Sequence, residues 1–409
     1  MRAKYLLTSC LFFCVCINLF AQFPDKKADN INPANAPEIV SRAAVLIDAE
    51  TGTMLFCKNP NAQIPPASLT KLMTMHIVMN AVKEGKASYD ELIPITVDSW
   101  AQSQPPRSSL MFLAPGQIVT LREILLGLAV VSGNDAAVAA ALRMAPTMKD
   151  FADMMNAEAR SMGLTVTRFS ESSGISSSNI TTAFEFARFC RHYLKTHPNS
   201  LKDFHSVLEL SYPLAENVQE RHRGNPKTIS QDNRNLMLRY FEGVDGLKTG
   251  FINESGFNIA LTAERNNTRF ICVILGAPNQ RGGAGIRDKD GENLLTWAFE
   301  NYKTVRPVIG QIGDVKIWKG KTKTAALKIK ESEMINFTSH TDRSNVLSYE
   351  VMIPQPVIAP FPAETEVGFL LISDEYGPLK RVPLVTAVDC EKANIFKRIW
   401  HSIVLLFKK

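Results

Sequence analysis

The sequence predicts an α+β domain over residues 41–304, then a small all-β domain over 305–388 and a C-terminal amphipathic helix over 389–409. Three observations carry this prediction. Apolar residues at helical spacing fill the middle of the first part, from Leu72 to Val82 and from Leu121 to Met144, while strand-like runs stand at its two ends, Ala43 to Cys57 and Phe257 to Leu275. Helices flanked by sequence-distant strands describe an antiparallel sheet closed from both ends of the segment, with a helical cluster packed on it. Beyond Val305 the chain changes to short β-like runs separated by Gly, Pro and Asp, and past Ala393 it returns to helical spacing.

Composition sets the class. A chain of 409 residues with 45% hydrophobic and 21% charged side chains is ordinary globular material with enough apolar residues for a sizeable core. The formal charge of +6 is modest, and no Lys/Arg block with interleaved aromatics points to nucleic acid as a partner. The start, Met1-Arg2-Ala3-Lys4, then the apolar run Tyr5 to Phe20, then Ala21, has the three regions of a secretory signal. That run is short of the ~20 residues a spanning helix needs, so export with cleavage near Ala21 is expected. Cys10, Cys14 and Cys16 lie inside this segment; Cys57, Cys190, Cys272 and Cys390 are widely spaced, exclude a C-x-x-C site, and read as buried thiols.

In order along the chain, residues 22–40 form a polar, turn-rich leader. Ala43 to Asp48 and Met54 to Cys57 read as a β-hairpin. Pro65-Pro66 keeps the following segment extended, and the helical spacing of Leu72, Met75, Met79 and Val82 places Ser68 in the first turn of a helix. Asp90 to Trp100 reads as short strand and loop, and residues 103–116 as a connection. Helices are predicted over Leu121 to Val131, Asp135 to Met144, Met155 to a stop at Gly163, and Thr182 to Leu194, the last capped from Ser177-Ser178-Asn179. Residues 198–235 are polar and read as irregular. Asp245 to Gly250 opens a strand region that continues through Phe257 to Thr262 and Arg269 to Leu275, joined at Asn266-Asn267, and Glu292 to Tyr302 closes the part as a helix.

Chemistry concentrates at three places. Residues three apart on a helix share a face, so the Ser68 hydroxyl lies beside the Lys71 amine. The bland reading is a capping serine and a solvated lysine, but the helix is apolar nearly all round, which implies burial, and a buried lysine needs a reason. Ser132-Gly133-Asn134 puts two polar side chains on a tight turn between two apolar helices, where unsatisfied groups would cost ~1–3 kcal/mol each. A helix cap is the alternative there. Lys248-Thr249-Gly250 starts a strand.

Taken together, Ser68-x-x-Lys71, Ser132-x-Asn134 and Lys248-Thr249-Gly250, in this order, resemble the motifs of the low-molecular-mass penicillin-binding proteins, specifically the serine-type D-Ala-D-Ala carboxypeptidases. The resemblance extends over nearly the whole chain beyond the signal. It implies a penicillin-binding-protein/serine β-lactamase-like catalytic domain that hydrolyses peptidoglycan stem peptides through an acyl-enzyme on Ser68 and is acylated by β-lactams. A serine is a poor nucleophile until a neighbour takes its proton. Lys71 can do so only when neutral, and burial and a nearby cation, Lys248, would both lower its pKa. Lys248 at the start of an inner strand suits a terminal carboxylate by charge and Thr249 by hydrogen bonding, while Gly250 would let substrate backbone approach the strand. The resemblance gives Ser132 the relay of a proton to the leaving nitrogen and Asn134 a hold on Lys71 and the substrate amide. The N–H groups of Ser68 and Phe251 would form the oxyanion hole. Phe251 stands where several relatives have histidine, which bears on deacylation and substrate preference, and Arg234 is a candidate extra contact for the carboxylate.

Neither a metal nor a cofactor is expected. The seven histidines show no H-E-x-x-H or paired spacing, which argues against a zinc peptidase. A β-lactamase or a D,D-endopeptidase would use the same residues, and a non-catalytic peptidoglycan binder is the reading from another class. At the C-terminus Ile395, Phe396, Ile399, Trp400, Ile403, Val404, Leu406 and Phe407 alternate with Lys397, Arg398, Lys408 and Lys409 at helical spacing. This suits a helix lying in a membrane interface, which would hold the protein at the periplasmic face of the bacterial cytoplasmic membrane; the alternative is a helix docked on its own domain.

Overall fold

The computed structural model describes residues 32–407; the expected signal 1–21, the first part of the leader and the final two lysines lie outside the described residues. The predicted hairpin forms from β1 (Ala43–Asp48) and β2 (Met54–Lys58), its turn held by Asp48 Oδ1, which accepts the N–H of Glu50 and Thr51 at 2.8 and 2.9 Å. The chain then crosses to a 3-10 turn, Ala67–Thr70, that runs into helix α1 (Lys71–Lys83). Ser68 therefore sits in the 3-10 turn, not in the first α-helical turn. Ala67 at φ +51° and the Leu69 N–H to Pro66 carbonyl bond of 3.3 Å wind this entry tightly.

The helical cluster continues with α2 (Leu121–Ala129), α3 (Asn134–Met144), α4 (Met148–Ser161) and α5 (Ala183–Thr196). Thr120 and Glu123 form a reciprocal capping box on α2, and Thr147 and Thr182 cap α4 and α5. The cap on α5 is thus Thr182 and not the Ser177 to Asn179 segment, whose asparagine is used elsewhere. Two further expectations change. Residues 90–100 contain no strand beyond a single bridge from Leu92 to Thr120. Residues 198–235 are not irregular throughout: β3 (Glu209–Tyr212) pairs with β4 (Ile229–Asp232), followed by a short helix α6 (Met237–Tyr240). That ribbon is largely exposed and carries little apolar alternation, so its sequence has no period to reveal it.

Strands β5 (Val244–Ile252), β6 (Gly256–Arg265) and β7 (Thr268–Ala277) complete an antiparallel five-stranded sheet in the order β2-β1-β7-β6-β5. Pairing of β1 with β7 joins the two ends of the domain and leaves β5 at the edge, where the sequence had suggested an inner strand. Both faces of the sheet are covered. Val45, Ile47, Ile271 and Val273 face the helical cluster, while Leu46, Leu261, Cys272 and Ile274 pack on the other side against Leu294, Leu295 and Trp297. Each fully buried Leu or Ile contributes roughly 1.5–3 kcal/mol. Those last three residues belong to α7 (Gly283–Asn301), which begins at Gly283 rather than Glu292. Gly291 hid the continuity, yet a Cβ there would stand 2.6 Å from Leu261 Cδ1, so the glycine serves close helix–sheet contact.

The chain continues through β8 (Tyr302–Val305), β9 (Asp314–Trp318), β10 (Thr324–Ile329), β11 (Phe337–His340), β12 (Ser348–Met352), β13 (Val357–Ile358), β14 (Glu366–Asp374) and β15 (Gly377–Thr386). Six of these form a second sheet, β12-β14-β15-β10-β9-β13, over its own core of Ile317, Leu370, Ile372, Val382 and Leu384. The ribbon β8–β11 adjoins the β1–β2 turn, with buried Asp48 accepting from Thr304 and Thr338 at 2.8 Å each. Helix α8 (Ile395–Leu406) buries none of its residues and leaves Phe396, Trp400, Leu406 and Phe407 exposed. No helix among the described residues is long and apolar enough to cross a membrane. Cys57, Cys190, Cys272 and Cys390 are all buried, in line with the reading as buried thiols.

Candidate active site

The 3-10 turn that carries Ser68 is gripped by two glycines. At Gly174, φ +84°, a Cβ would lie 1.8 Å from the Ala67 carbonyl oxygen and 2.9 Å from Ser68 N; at Gly250 it would lie 2.9 Å from Pro66 O and 3.0 Å from Ser68 N. Gly250 is therefore required by the backbone of the Ser68 turn itself, a close approach beyond the substrate contact that the sequence suggested. Strand β5 and the 170–179 loop clamp the turn from two sides, and Ala67 is held in left-handed geometry between them.

Lys71, the first residue of α1, is fully buried and reaches back to the serine: Nζ donates to Ser68 Oγ at 3.1 Å, to Asn134 Oδ1 at 2.7 Å and to the Ser173 carbonyl at 2.6 Å. Burial lowers its pKa from the ordinary 10.5 to about 7, opposed by the negative charges of Glu171 and Asp135. Desolvation is thus the main cause of the lowering, and the repulsion between Lys71 and Lys248 is expressed in the lowered pKa of Lys248. An amine with a pKa near 7 that touches a serine hydroxyl is equipped to take its proton.

Ser132 and Asn134 occupy the turn between α2 and α3. Ser132 adopts φ +62° and Asn134 is the first residue of α3, its Nδ2 donating to Ser108 Oγ at 3.1 Å. Gly133 occupies the position before α3 without any side-chain cap, so a simple capping role does not explain the triplet. The turn is fixed by Asp135, a residue the sequence reading passed over. Its buried carboxylate accepts the N–H groups of Met111, Phe112, Leu113 and Ala136 at 2.8–3.0 Å, which anchors the 108–113 segment beside Asn134. Burial pushes the Asp135 pKa up while these four donors hold it down.

A second unforeseen residue is Glu171. Its carboxylate accepts from Ser173 N and Oγ at 2.6 Å, Gly174 N at 2.7 Å and Asn179 Nδ2 at 2.9 Å, and so folds the loop that presents the Ser173 carbonyl to Lys71. Asn179 also donates to Thr70 Oγ1 at 3.2 Å, tying the same loop to the nucleophile turn. An acid followed by Ser-Ser-Gly was the available signal in the sequence.

These elements border one cleft of about 600 Å³, lined by Ser68, Ser132, Asn134, Thr249, Gly250, Phe251 and Arg234 among others. Such a volume suits a short peptide. Lys248 lies beneath it, buried, with Nζ donating to the Thr249 carbonyl at 3.0 Å. Its pKa falls well below the ordinary value through burial first, then through the positive charges of Lys71, Arg234 and Arg287. Arg287, from α7, was not anticipated; it is paired with Asp288, whose Oδ1 accepts from Nε at 2.8 Å. Arg234 is exposed; its Nη2 donates to Gln231 Oε1 at 3.1 Å and its backbone N–H to the Val130 carbonyl at 3.1 Å. Arg234 and Arg287 stand on the cleft wall together with Asp288 and Glu254, and with Arg287 paired to Asp288 it is Arg234 that presents an exposed cation there. Phe251, half exposed at the rim, stacks on Phe257 with ring centroids 4.4 Å apart. As an edge strand, β5 offers backbone groups along this cleft.

Comparison with known proteins gives the family and the fold. The family model described as D-alanyl-D-alanine carboxypeptidase matches residues 30–279. The chain is 30% identical over 406 residues to D-alanyl-D-alanine carboxypeptidase DacD of Escherichia coli (strain K12), covering 98% of each chain. Its structure is similar to that of penicillin binding protein 5 from Haemophilus influenzae, at 26% identity and a TM-score of 0.76, covering 88% of this chain and all of that one. Penicillin-Binding Protein D2 from Listeria monocytogenes in its cefotaxime-bound form is similar over 64% of this chain and 98% of that one, with 27% identity and a TM-score of 0.55.

Proposed function

Because the chain belongs to the D-alanyl-D-alanine carboxypeptidase family, we propose that it removes the terminal D-alanine from peptidoglycan stem peptides with Ser68 as nucleophile. The observation that most supports this is the buried Lys71 amine, 3.1 Å from Ser68 Oγ and with a pKa lowered to about 7. Neutral Lys71 takes the Ser68 proton as Oγ attacks the carbonyl carbon of the penultimate D-alanine. The N–H groups of Ser68 and Phe251 receive the developing oxyanion. The C–N bond breaks as Ser132 gives its hydroxyl proton to the leaving D-alanine nitrogen and regains one from protonated Lys71, so that Lys71 is neutral again and an ester on Ser68 remains. Water hydrolyses that ester and restores the serine.

The substrate carboxylate accepts a hydrogen bond from Thr249 and meets the charges of Lys248 and Arg234, whose mutual repulsion it relieves. Asn134 fixes the Lys71 amine through its 2.7 Å bond and offers its amide to the peptide. A β-lactam, which presents an amide carbonyl beside a carboxylate, enters by the same route and acylates Ser68. The first 21 residues serve as the export signal, and α8 lies in the outer interface of the cytoplasmic membrane with Phe396, Trp400 and Phe407 immersed, placing the cleft toward peptidoglycan.

Mass spectrometry of the protein after exposure to benzylpenicillin tests the assignment. A single adduct on the peptide containing Ser68, lost slowly, together with D-alanine release from a D-Ala-D-Ala peptide that Ser68→Ala abolishes, is the expected result. An adduct on another residue, or D-alanine release that survives Ser68→Ala, rejects it.

A further inference from the structure

A cluster of histidines lies on the helical layer away from the cleft. His76 of α1 is fully buried, and its Nε2 meets Glu158 Oε1 of α4 at 3.0 Å and Asn80 Nδ2 at 3.1 Å. His192 of α5 packs edge-on against His76, with ring centroids 5.4 Å apart and planes at 71°. Its Nε2 contacts Thr196 Oγ1 at 3.2 Å. The potential ligand atoms of His76, Glu158 and His192 all lie within 4.8 Å of one another. On the inner side, His76 Nδ1 meets Nε2 of buried His197 at 2.9 Å.

We propose that His76, Glu158 and His192 bind a divalent transition metal of the zinc class, in a structural site that joins α1, α4 and α5. Two imidazoles and one carboxylate suit zinc and its neighbours and are poorly matched to magnesium or calcium, which take oxygen ligands. Bonds of about 2.0–2.1 Å to a tetrahedral ion imply ligand separations of about 3.3 Å. The pair His76–Glu158 is already near that spacing, and His192, exposed at the surface, is the ligand with room to close in. Coordination through His76 Nε2 leaves the ring proton on Nδ1, where His197 Nε2 accepts it. That contact would orient the buried ligand as outer partners of metal-bound histidines do. The fourth position faces solvent past the partly exposed Glu158 and takes a water.

None of these residues lines the Ser68 cleft, so the site is independent of the proposed reaction. It also revises the expectation of no metal, which rested on spacing along the chain. The three ligands come from three helices that only the fold brings together.

The test uses the full chain stripped with EDTA, then titrated with zinc chloride by calorimetry and with cobalt chloride by visible absorption. One zinc per chain, a raised melting temperature on zinc addition and a visible cobalt absorption band are expected from four- or five-coordinate geometry. His192→Ala and Glu158→Gln should each weaken zinc binding by at least about tenfold and remove the cobalt band, while melting in EDTA as the parent does and releasing D-alanine at the parent rate. His192→Ala changes an exposed side chain and keeps the test valid if Glu158→Gln fails to fold. A parent chain that takes up no zinc, or zinc bound equally by parent and His192→Ala, overturns the proposal.

Discussion

Acylation of Ser68 should follow the protonation of Lys71. With the amine pKa lowered to about 7, the neutral fraction is about 1% at pH 5, about half at pH 7 and about 90% at pH 8. The second-order rate of acylation by a fluorescent penicillin, read from gel band intensity against time, should therefore rise close to tenfold per pH unit up to about pH 6.5. It should level off above pH 8. Asn134→Asp places a carboxylate where Oδ1 now accepts from Lys71 at 2.7 Å. An opposite charge at that range raises an amine pKa by roughly 1–3 units, so the midpoint should move to alkaline pH and activity at neutral pH should fall. Lys71→Arg keeps the positive charge but cannot lose its proton, and the loss should be on the order of 10²–10⁴-fold at every pH. A rate flat between pH 5 and 8, or an arginine variant that still acylates at the parent rate, refutes Lys71 as the base.

The same burial gives a stability signature. Lys71 binds its proton more weakly folded than unfolded, so the unfolded chain holds the extra proton between about pH 7 and 10.5 and stability rises with pH across that window. Relative to Lys71→Met, the parent should gain roughly 2–3 kcal/mol between pH 7 and 9 in urea unfolding; parallel curves would contradict it. Gly250→Ala brings a methyl group to 2.9 Å from Pro66 O and 3.0 Å from Ser68 N, both backbone atoms. It should cost about 1–3 kcal/mol and lower acylation more than tenfold, measured by thermal melting and penicillin labelling, with Gly224→Ala, where a Cβ meets nothing within 4 Å, as the reference for a glycine free of contact. Deleting residues 391–409 should move the protein from membrane pellet to supernatant while leaving D-alanine release from soluble peptide intact.

The site was legible where chemistry and local pattern coincide. Ser68 and Lys71 announce themselves through a helix too apolar to carry a solvated lysine, and Ser132 and Asn134 through a polar turn between two apolar helices. What escaped notice acts through backbone geometry. Asp135 reads as an ordinary helix-start acid, and only the folded chain shows four amide donors converging on it. Glu171 and Gly174 act on a turn that lies a hundred residues earlier, a contact no local period encodes. The edge position of β5 likewise follows from the pairing of β1 with β7, a long-range choice that strand patterns leave open. Gly250 was noticed for a reason of its own type, close approach, and the Ser68 turn is a partner that reading did not name.

The loop built on Glu171 also bears on the choice between a carboxypeptidase and a β-lactamase. Rapid hydrolysis of a penicilloyl ester needs a general base free to take a proton from water near the ester carbon, a role a loop carboxylate could fill. Glu171 is the acid whose charge reaches Lys71 from this loop, yet it accepts from Ser173, Gly174 and Asn179 at 2.6–2.9 Å. Those donors occupy the lone pairs of the Glu171 carboxylate. It is also committed to shape: releasing it to work on water would free the Ser173 carbonyl from Lys71 and loosen the grip of Gly174 on the Ser68 turn. Under the proposed mechanism deacylation falls to Lys71 and Ser132, with a water entering the space the leaving group vacated. A peptide ester frees that space when D-alanine departs. A β-lactam keeps its leaving nitrogen tethered there, and this is the physical reason to expect turnover of peptide and trapping of penicillin on one serine.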